Sequence, residues 1–189
     1  SFGVFGYRKY FADRTKNLIL RLSQDGITEI SMYGMIDFFR DNLAGAGSLP
    51  IVGGYDMHNK QYIVSIGGAE GNAKNGFDPE TVSFDEAVKG WTSRFDYFPD
   101  AIGSLRNNLY TYFEGEIWQH YSTSVNRAQF YNTTYASSVN LVFNPSPSVV
   151  KNFNTINYEG SGGWIMESLS TDQDIALQIS EYQLPTTLA

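Results

Sequence analysis

Cysteine is absent from this 189-residue sequence, and histidine occurs only twice, as His58 and His120. The lack of cysteine excludes disulfide frameworks, thiol nucleophiles and cysteine-based zinc sites, and two isolated histidines provide no metal-ligand spacing. Charged residues are also scarce, at 17%, and the formal net charge is -7. Nonspecific DNA binding depends on clustered Lys and Arg, so this acidic balance argues against a DNA-binding surface.

Long apolar runs are missing as well. No stretch approaches the ~18 residues that span a bilayer, and no basic-then-apolar leader precedes a cleavage site. We therefore expect no membrane partner and no export, and the lack of cysteine is compatible with assembly in a reducing cytoplasm. The chain begins Ser1-Phe2-Gly3-Val4 without methionine, which we interpret as a processed or excised fragment of a larger, β-rich protein.

Aromatic residues are abundant instead, with 13 Tyr, 13 Phe and 3 Trp. This composition favours strands and turns over long helices, and the 42% hydrophobic content is enough to bury a core. We predict a mainly β fold of antiparallel sheets with one or two short helices.

Three hairpins are predicted where apolar segments flank polar turns. The first hairpin joins residues 7–11 to 18–22, and a further strand at 27–30 follows the turn at Asp25-Gly26. The second joins residues 51–55 to 62–66, and the third joins residues 109–113 to 116–121. Apolar residues at three- and four-residue steps predict a short amphipathic helix between Met32 and Leu43. A further strand is predicted at residues 139–143, where Pro145 then ends the pattern.

The first two hairpins resemble each other, because each has an Asp-led polar turn between its strands. Asp13 and Asp56 are some 43 residues apart, close to the length of a β-propeller blade. The third hairpin follows after about 58 residues and breaks a strict period. The spacing thus leaves open both ordinary antiparallel sheets and blade-like units at 1–50, 51–100 and 101–189.

Candidate catalytic groups are few. Glu114 and Glu116 are two residues apart, as a carboxylate pair of a glycosidase could be, but they flank Gly115 at a hairpin tip, where solvated turn residues are common. No nucleophile elbow, phosphate-binding loop or dinucleotide fingerprint is present. We therefore predict no enzymatic activity, no cofactor and no metal.

Aromatic residues crowd the central region, and most of them are expected to pack in a sheet core. An exposed aromatic platform for a protein partner or a glycan is the functional alternative. The candidate interaction residues are Trp91, Tyr97, Tyr112, Trp118 and Tyr121.

Several segments resemble large virion proteins of crAss-like bacteriophages. They include Arg21-Leu22-Ser23-Gln24-Asp25-Gly26-Ile27-Thr28-Glu29-Ile30, Lys89-Gly90-Trp91-Thr92-Ser93, Gly115-Glu116-Ile117-Trp118-Gln119-His120, Ser148-Val149-Val150-Lys151 and Asn157-Tyr158-Glu159-Gly160. Within that family the similarity is to part of the muzzle protein at the distal end of a short tail.

This resemblance implies a structural role in the virion. It implies a homo-oligomeric tube around the DNA exit channel. The tube would contact other tail proteins and, if the chain is processed, the remainder of the precursor. Genomic DNA would contact it only in passage. It implies assembly in the bacterial cytoplasm and a place in the tail. A carbohydrate-binding tail-tip module that contacts the host surface is the alternative.

Overall fold

The computed structural model describes residues 2–68, 76–152, 155–157, 159, 163–170 and 182–183. All strand pairings among these residues are antiparallel, which confirms the predicted mainly β class. The chain divides into two compact units, Ser1–Val139 and Asn140–Ala189. Within the described ranges, no helix has the length and hydrophobicity that crossing a membrane requires.

Sheet 1 is a four-stranded meander formed by the first 29 residues. Its strands, in order across the sheet, are β1 (Gly3–Phe5), β2 (Arg8–Asp13), β3 (Leu18–Ser23) and β4 (Gly26–Glu29). The three predicted strands are confirmed as β2 to β4, and β1 adds an edge. Gly26 takes a φ of +104° at the turn into β4, a conformation that glycine adopts without steric cost.

Sheet 2 is a second four-stranded meander and forms the middle layer of the first unit. Its strands are β5 (Ile51–Asp56), β6 (Gln61–Ile66), β7 (Glu80–Asp85) and β8 (Gly90–Phe95). Residues 62–66 of β6 are buried without alternation, as expected for a strand that is covered on both faces. Sheet 1 lies against one face, where Tyr62 stacks on Tyr10 at 4.7 Å, and sheet 3 lies against the other.

A 3-10 turn (Ile30–Met32) and helix α1 (Ile36–Gly45) connect sheets 1 and 2. The helix confirms the predicted one, shifted by a few residues. Phe39 and Leu43 are buried against the sheets, whereas Asp37 and Asp41 pair with Arg40 on the exposed side. The amphipathic pattern therefore seals one end of the core between the two sheets.

Sheet 3 contains the third predicted hairpin. Its strands are β9 (Ala101–Leu105), β10 (Asn108–Phe113) and β11 (Glu116–Gln119), with β10 in the middle. Two short pairs follow, β12 (Gln129–Phe130) with β13 (Thr133–Thr134), and β14 (Ile165–Met166) with β15 (Tyr182–Gln183).

The Asp-led turns of the first two hairpins have the same hydrogen-bonding scheme, and a third copy occurs between β7 and β8. Asp13, Asp56 and Asp85 each accept a hydrogen bond from the backbone N–H two residues later. The last loop residue before the next strand has a positive φ in all three hairpins, at Asn17, Lys60 and Lys89. The carboxylate thus stabilises the same four-residue loop each time.

The predicted strand at residues 139–143 is wrong, because the structure forms no ladder there. Val142 is 92% exposed, and Leu141 and Phe143 are 68% and 63% exposed. High β propensity makes a strand only where a neighbouring strand supplies hydrogen bonds and packing.

Candidate interaction surfaces

The five aromatic residues predicted as interaction sites occupy different environments. Tyr97 is 2% exposed, and Trp91 and Trp118 are half-buried, whereas Tyr112 and Tyr121 are 44% and 42% exposed. They therefore do not share one exposed platform. An interaction role for each of them stays a prediction.

Trp91 connects sheet 2 to the elements that follow sheet 1. Its indole Nε1 donates a hydrogen bond to the Ile30 carbonyl at 3.0 Å. The ring centroid lies 4.4 Å from that of Phe39 and 5.3 Å from that of Phe84. These contacts satisfy the indole N–H and bury the ring edge, as for an aromatic residue in a packed core.

Glu86 joins sheets 1 and 2 on their polar margin. Its carboxylate accepts a hydrogen bond from the Tyr10 hydroxyl at 2.8 Å and one from Arg21 Nη1 at 2.6 Å. Burial, and then the hydrogen bond to Glu86, raise the pKa of Tyr10 above its ordinary value. Because Arg21 and Glu86 are mostly covered, the pair fixes how sheet 1 sits on the β7–β8 turn.

His120 belongs to a buried polar chain between sheets 2 and 3. The side chain is 9% exposed, and its Nε2 lies 2.7 Å from Thr111 Oγ1, which accepts a hydrogen bond from the Tyr131 hydroxyl at 3.0 Å. A hydroxyl has one donor and two acceptor sites, so the Thr111–His120 hydrogen bond fits either tautomer of the imidazole. Burial lowers the pKa of His120 to about 4, opposed by the charge of Asp56. A histidine with this pKa is uncharged at neutral pH.

Tyr121 is anchored by the second Asp-led turn. Its hydroxyl donates to Asp56 Oδ2, and its ring stacks on His58 with centroids 4.6 Å apart. Burial, and then the Asp56 hydrogen bond, raise the pKa of Tyr121. Asp56 itself is fully buried and also accepts from the His58 backbone N–H. One face of the Tyr121 ring therefore packs on His58 within the chain.

The carboxylates considered for catalysis lie at an exposed turn. Glu114 and Gly115 have φ values of +51° and +80° and form a two-residue loop before Glu116. Such turns match the twist of a hairpin. Among the residues that the structure describes, no group of three or more Asp, Glu or His side chains is arranged to hold a metal ion.

The sheet-3 outer face is the side of sheet 3 that points away from sheet 2. The register places Tyr112 opposite Ala101 and Ile117, and residues opposite each other share a face. Leu105 and Ile117 are 65% and 63% exposed on it. The face carries no charged residue and comprises Ala101, Gly103, Leu105, Asn108, Tyr110, Tyr112, Ile117 and Gln119.

The sheet-1 outer face, the side of sheet 1 that points away from sheet 2, is also mostly apolar, and the sequence pattern alone did not predict it. The register aligns Val4, Lys9, Leu22 and Ile27 in one row across four strands. Of these, Val4, Leu22 and Ile27 are 53%, 38% and 65% exposed. The face comprises Phe2, Val4, Lys9, Phe11, Asp13, Leu18, Leu20, Leu22, Ile27 and Glu29.

The signal that could have found this face is the run Leu18-Ile19-Leu20 in β3. A sheet with one wet face alternates apolar and polar residues, whereas an uninterrupted apolar run is typical of a strand covered on both faces. Ile19 points into the core and is fully buried, and Leu20 points to the opposite side. Sheet 1 therefore has the pattern of a sheet that packs on two sides.

Comparison with known proteins identifies one family. A family model described as the Crassvirus muzzle protein C-terminal domain matches residues 125–187, about one third of the chain. A comparison with curated protein sequences gave no significant match. The chain thus resembles part of the tail muzzle protein of crAss-like phages, as its sequence segments predicted.

Proposed function

We propose that this chain is a non-enzymatic structural component of a short-tailed, crAss-like phage tail, and that it forms part of the muzzle at the DNA exit channel. The match of residues 125–187 to the muzzle C-terminal domain carries this proposal. In this role the chain packs against sister copies and other tail proteins, and against the rest of its precursor if the chain is processed. It is assembled in the bacterial cytoplasm.

The charge of the chain supports a lining role. A net charge of -7 and a pI near 4.7 make its surface repel DNA phosphates at neutral pH. A channel wall of this kind lets the genome pass without binding it. The proposal requires that acidic residues face the lumen in the assembled tail.

The sheets also support a propeller-like arrangement. Sheets 1 and 2 are four-stranded antiparallel meanders, the usual form of a blade, and sheet 3 has three strands. The first strands of neighbouring sheets lie close together, since a Cβ at Gly54 of β5 would come within 2.6 Å of Ile102 Cβ of β9. We propose that the units 1–50, 51–100 and 101–189 are built around successive blades.

A carbohydrate-binding tip module is the second candidate, and the exposed rings of Tyr112 and Tyr121 favour it. Aromatic faces pack on sugar rings when polar side chains nearby fix the hydroxyls. A glycan array probed with the chain tests this module directly. Binding that is lost in Tyr112→Ala would support it, and no binding to any glycan would eliminate it.

The tail assignment is tested on purified virions. Mass spectrometry should detect peptides of this chain, and a map of the assembled tail should place acidic residues of the chain at the channel wall. Non-tryptic peptides that begin at Ser1, together with peptides from adjoining precursor sequence, would support processing. Absence of the chain from virions would refute the structural role, and an acidic surface that points wholly outward would refute the lining role.

A further inference from the structure

We infer that residues 139–143, here called the arm, bind as an added β-strand to the open edge of sheet 3 in a neighbouring copy of the chain. The inference rests on the proposed packing of sister copies and names the two elements that make the contact. Within one copy the arm forms no ladder. The added strand therefore forms only on association.

The arm belongs to an exposed apolar stretch without regular structure. Residues 136–150 are all exposed and form neither helix nor strand. Val142 and Val150 are 92% and 95% exposed, and the stretch contains no charged residue. Loops are usually rich in polar residues, whereas Val, Leu and Phe at this density favour pairing in a sheet. The arm is therefore suited to a partner that offers backbone hydrogen bonds and apolar neighbours.

Sheet 3 has one strand fewer than sheets 1 and 2, and its open edge is β11. In all three sheets the strands follow one another in chain order. The opposite edge strand, β9, lies against β5, where the Ser104 hydroxyl donates a hydrogen bond to the Tyr55 carbonyl at 2.6 Å. A fourth strand in the same order would therefore lie beside β11.

The register shows which backbone groups of β11 face this open edge. His120 donates its backbone N–H to the Leu109 carbonyl at 2.9 Å, so residues of even number in β11 direct their backbone groups towards β10. The N–H and C=O groups of Ile117 and Gln119 point to the opposite side. None of the described strands pairs with that side of β11. A row of this kind is a template for strand addition.

A second copy is the partner, because every copy contains one arm and one open edge. The two elements match in length, since β11 has four residues and Pro145 limits the arm shortly after Phe143. A net charge of -7 opposes association of copies in general, but the arm is uncharged and β11 contains one charged residue, Glu116. Like-charge repulsion between copies is therefore small at this contact.

The connection before the arm limits where the neighbouring copy can lie. Tyr135 is held by a hydrogen bond from its backbone N–H to the Ala128 carbonyl at 2.8 Å. An extended chain spans at most ~3.5 Å per residue, so Val139 lies within about 14 Å of Tyr135. The open edge of the neighbour must therefore come close to the β12–β13 pair of the donor. Each copy gives one arm and receives one, so the contact can repeat from copy to copy.

The first test uses proline substitutions in the arm of the full 189-residue chain. Alternate backbone N–H groups of an added strand face its partner, and proline is tolerated where the N–H faces solvent. Light scattering after size exclusion should show oligomers for the wild type. Of Leu141→Pro and Val142→Pro, one should give monomers and the other should leave the oligomers unchanged. Both positions are exposed and outside any ladder, so neither substitution should alter the fold of the separate chain.

The acceptor edge is tested by Ile117→Pro. This variant loses an N–H that points to the open edge, whereas the hydrogen bonds from β11 to β10 remain. It should be monomeric, and Ile117→Thr, which keeps the N–H and a β-branched side chain, should still form oligomers. An equimolar mixture of Ile117→Pro with the monomeric arm variant should give a 1:1 dimer, since one intact arm and one intact edge remain.

Hydrogen exchange of the wild type tests the contact without any substitution. Backbone amides of residues 139–143 should exchange at least about tenfold more slowly at about 100 µM than at about 1 µM. Amides of sheets 1 and 2 should exchange equally at both concentrations. Their protection in Ile117→Pro shows whether that variant is folded.

Other results overturn the inference. A wild type that is monomeric at about 100 µM would do so, and so would equal effects of the two arm substitutions, which would indicate contact through apolar surface alone. Arm amides that are protected in the monomer would mean that the arm pairs within its own chain. A chain that is found in tails but is monomeric in solution contradicts only this inference, whereas oligomers of a chain absent from virions contradict only the tail assignment.

Discussion

Replacement of His120 by glutamine should make the fold less sensitive to acid. The pKa of His120 is about 4 in the folded chain because the imidazole is buried, and the ordinary value is 6.5. The unfolded chain therefore takes up a proton before the folded chain does. As pH falls from about 6.5 towards 4, this difference favours unfolding, and above 6.5 it has no effect.

The size of the effect follows from the two pKa values. One pKa unit corresponds to about 1.4 kcal/mol, so the complete difference is worth about 3 kcal/mol below pH 4. At pH 5, where most of the unfolded imidazole is protonated, the loss is about 2 kcal/mol relative to pH 8. His120→Gln keeps a polar group near Thr111, which lies 2.7 Å from the histidine, and removes the titration.

Urea unfolding of both proteins at pH 8 and pH 5 measures this difference. The carboxylates titrate in both chains, so they cancel when the wild-type loss is compared with that of His120→Gln. We expect the wild type to lose about 2 kcal/mol more. Equal losses would refute the reasoning, as would an NMR titration of His120 with a midpoint near 6.5.

Three further substitutions test the packing of the sheets. Glu86→Gln should lower the free energy of unfolding by about 2 kcal/mol, because it leaves the mostly covered guanidinium of Arg21 without its charge partner. Asp37→Asn is its control, since the pair with Arg40 is exposed and its loss should not change urea unfolding measurably. Gly54→Ala should cost roughly 1–3 kcal/mol in thermal unfolding, because its Cβ would overlap the facing isoleucine of β9. Gly103→Ala is its control, since nothing lies within 4 Å of the added methyl; an equal loss in both glycine variants would contradict the proposed close approach. Asp85→Ala should cost about 1 kcal/mol in urea unfolding through the lost loop hydrogen bond, and an unchanged midpoint would show that the loop does not depend on this carboxylate.

The hairpins were predictable because the residues that determine a hairpin are close to each other in the sequence. Turns led by Asp13 and Asp56 place a carboxylate where it can bond the loop backbone, and apolar segments on both sides supply the strands. The third copy at Asp85 was missed because β8 follows it with Thr92, Ser93 and Arg94, which do not form an apolar run. Its position at the edge of sheet 2 tolerates these residues, since one side of the ladder has no partner strand.

The burial of individual side chains could not be predicted as well as the hairpins. Tyr97 and Tyr112 are both tyrosines in an aromatic-rich region, yet one is in the core and the other is on an outer face. Tyr97 lies in the loop after β8, where its ring packs against those of His120 and Phe130. The outer position of Tyr112 in β10 depends on ladder register, because a shift of one residue moves a strand's side chains to the opposite face. The interaction surfaces were missed for the same reason, since only the pairing of four strands aligns Val4, Leu22 and Ile27 in a row.

The middle position of sheet 2 has a consequence for how the chain unfolds. A fragment that lacks sheet 1 or sheet 3 would expose one of the two buried faces of sheet 2, and the removed sheet would lose the core on which it packs. Residues 2–119 should therefore melt in one cooperative transition, with no stable two-sheet intermediate. Limited proteolysis of this region should leave either the intact unit or short peptides, so a cut in any of the three sheets would commit the whole stack to degradation.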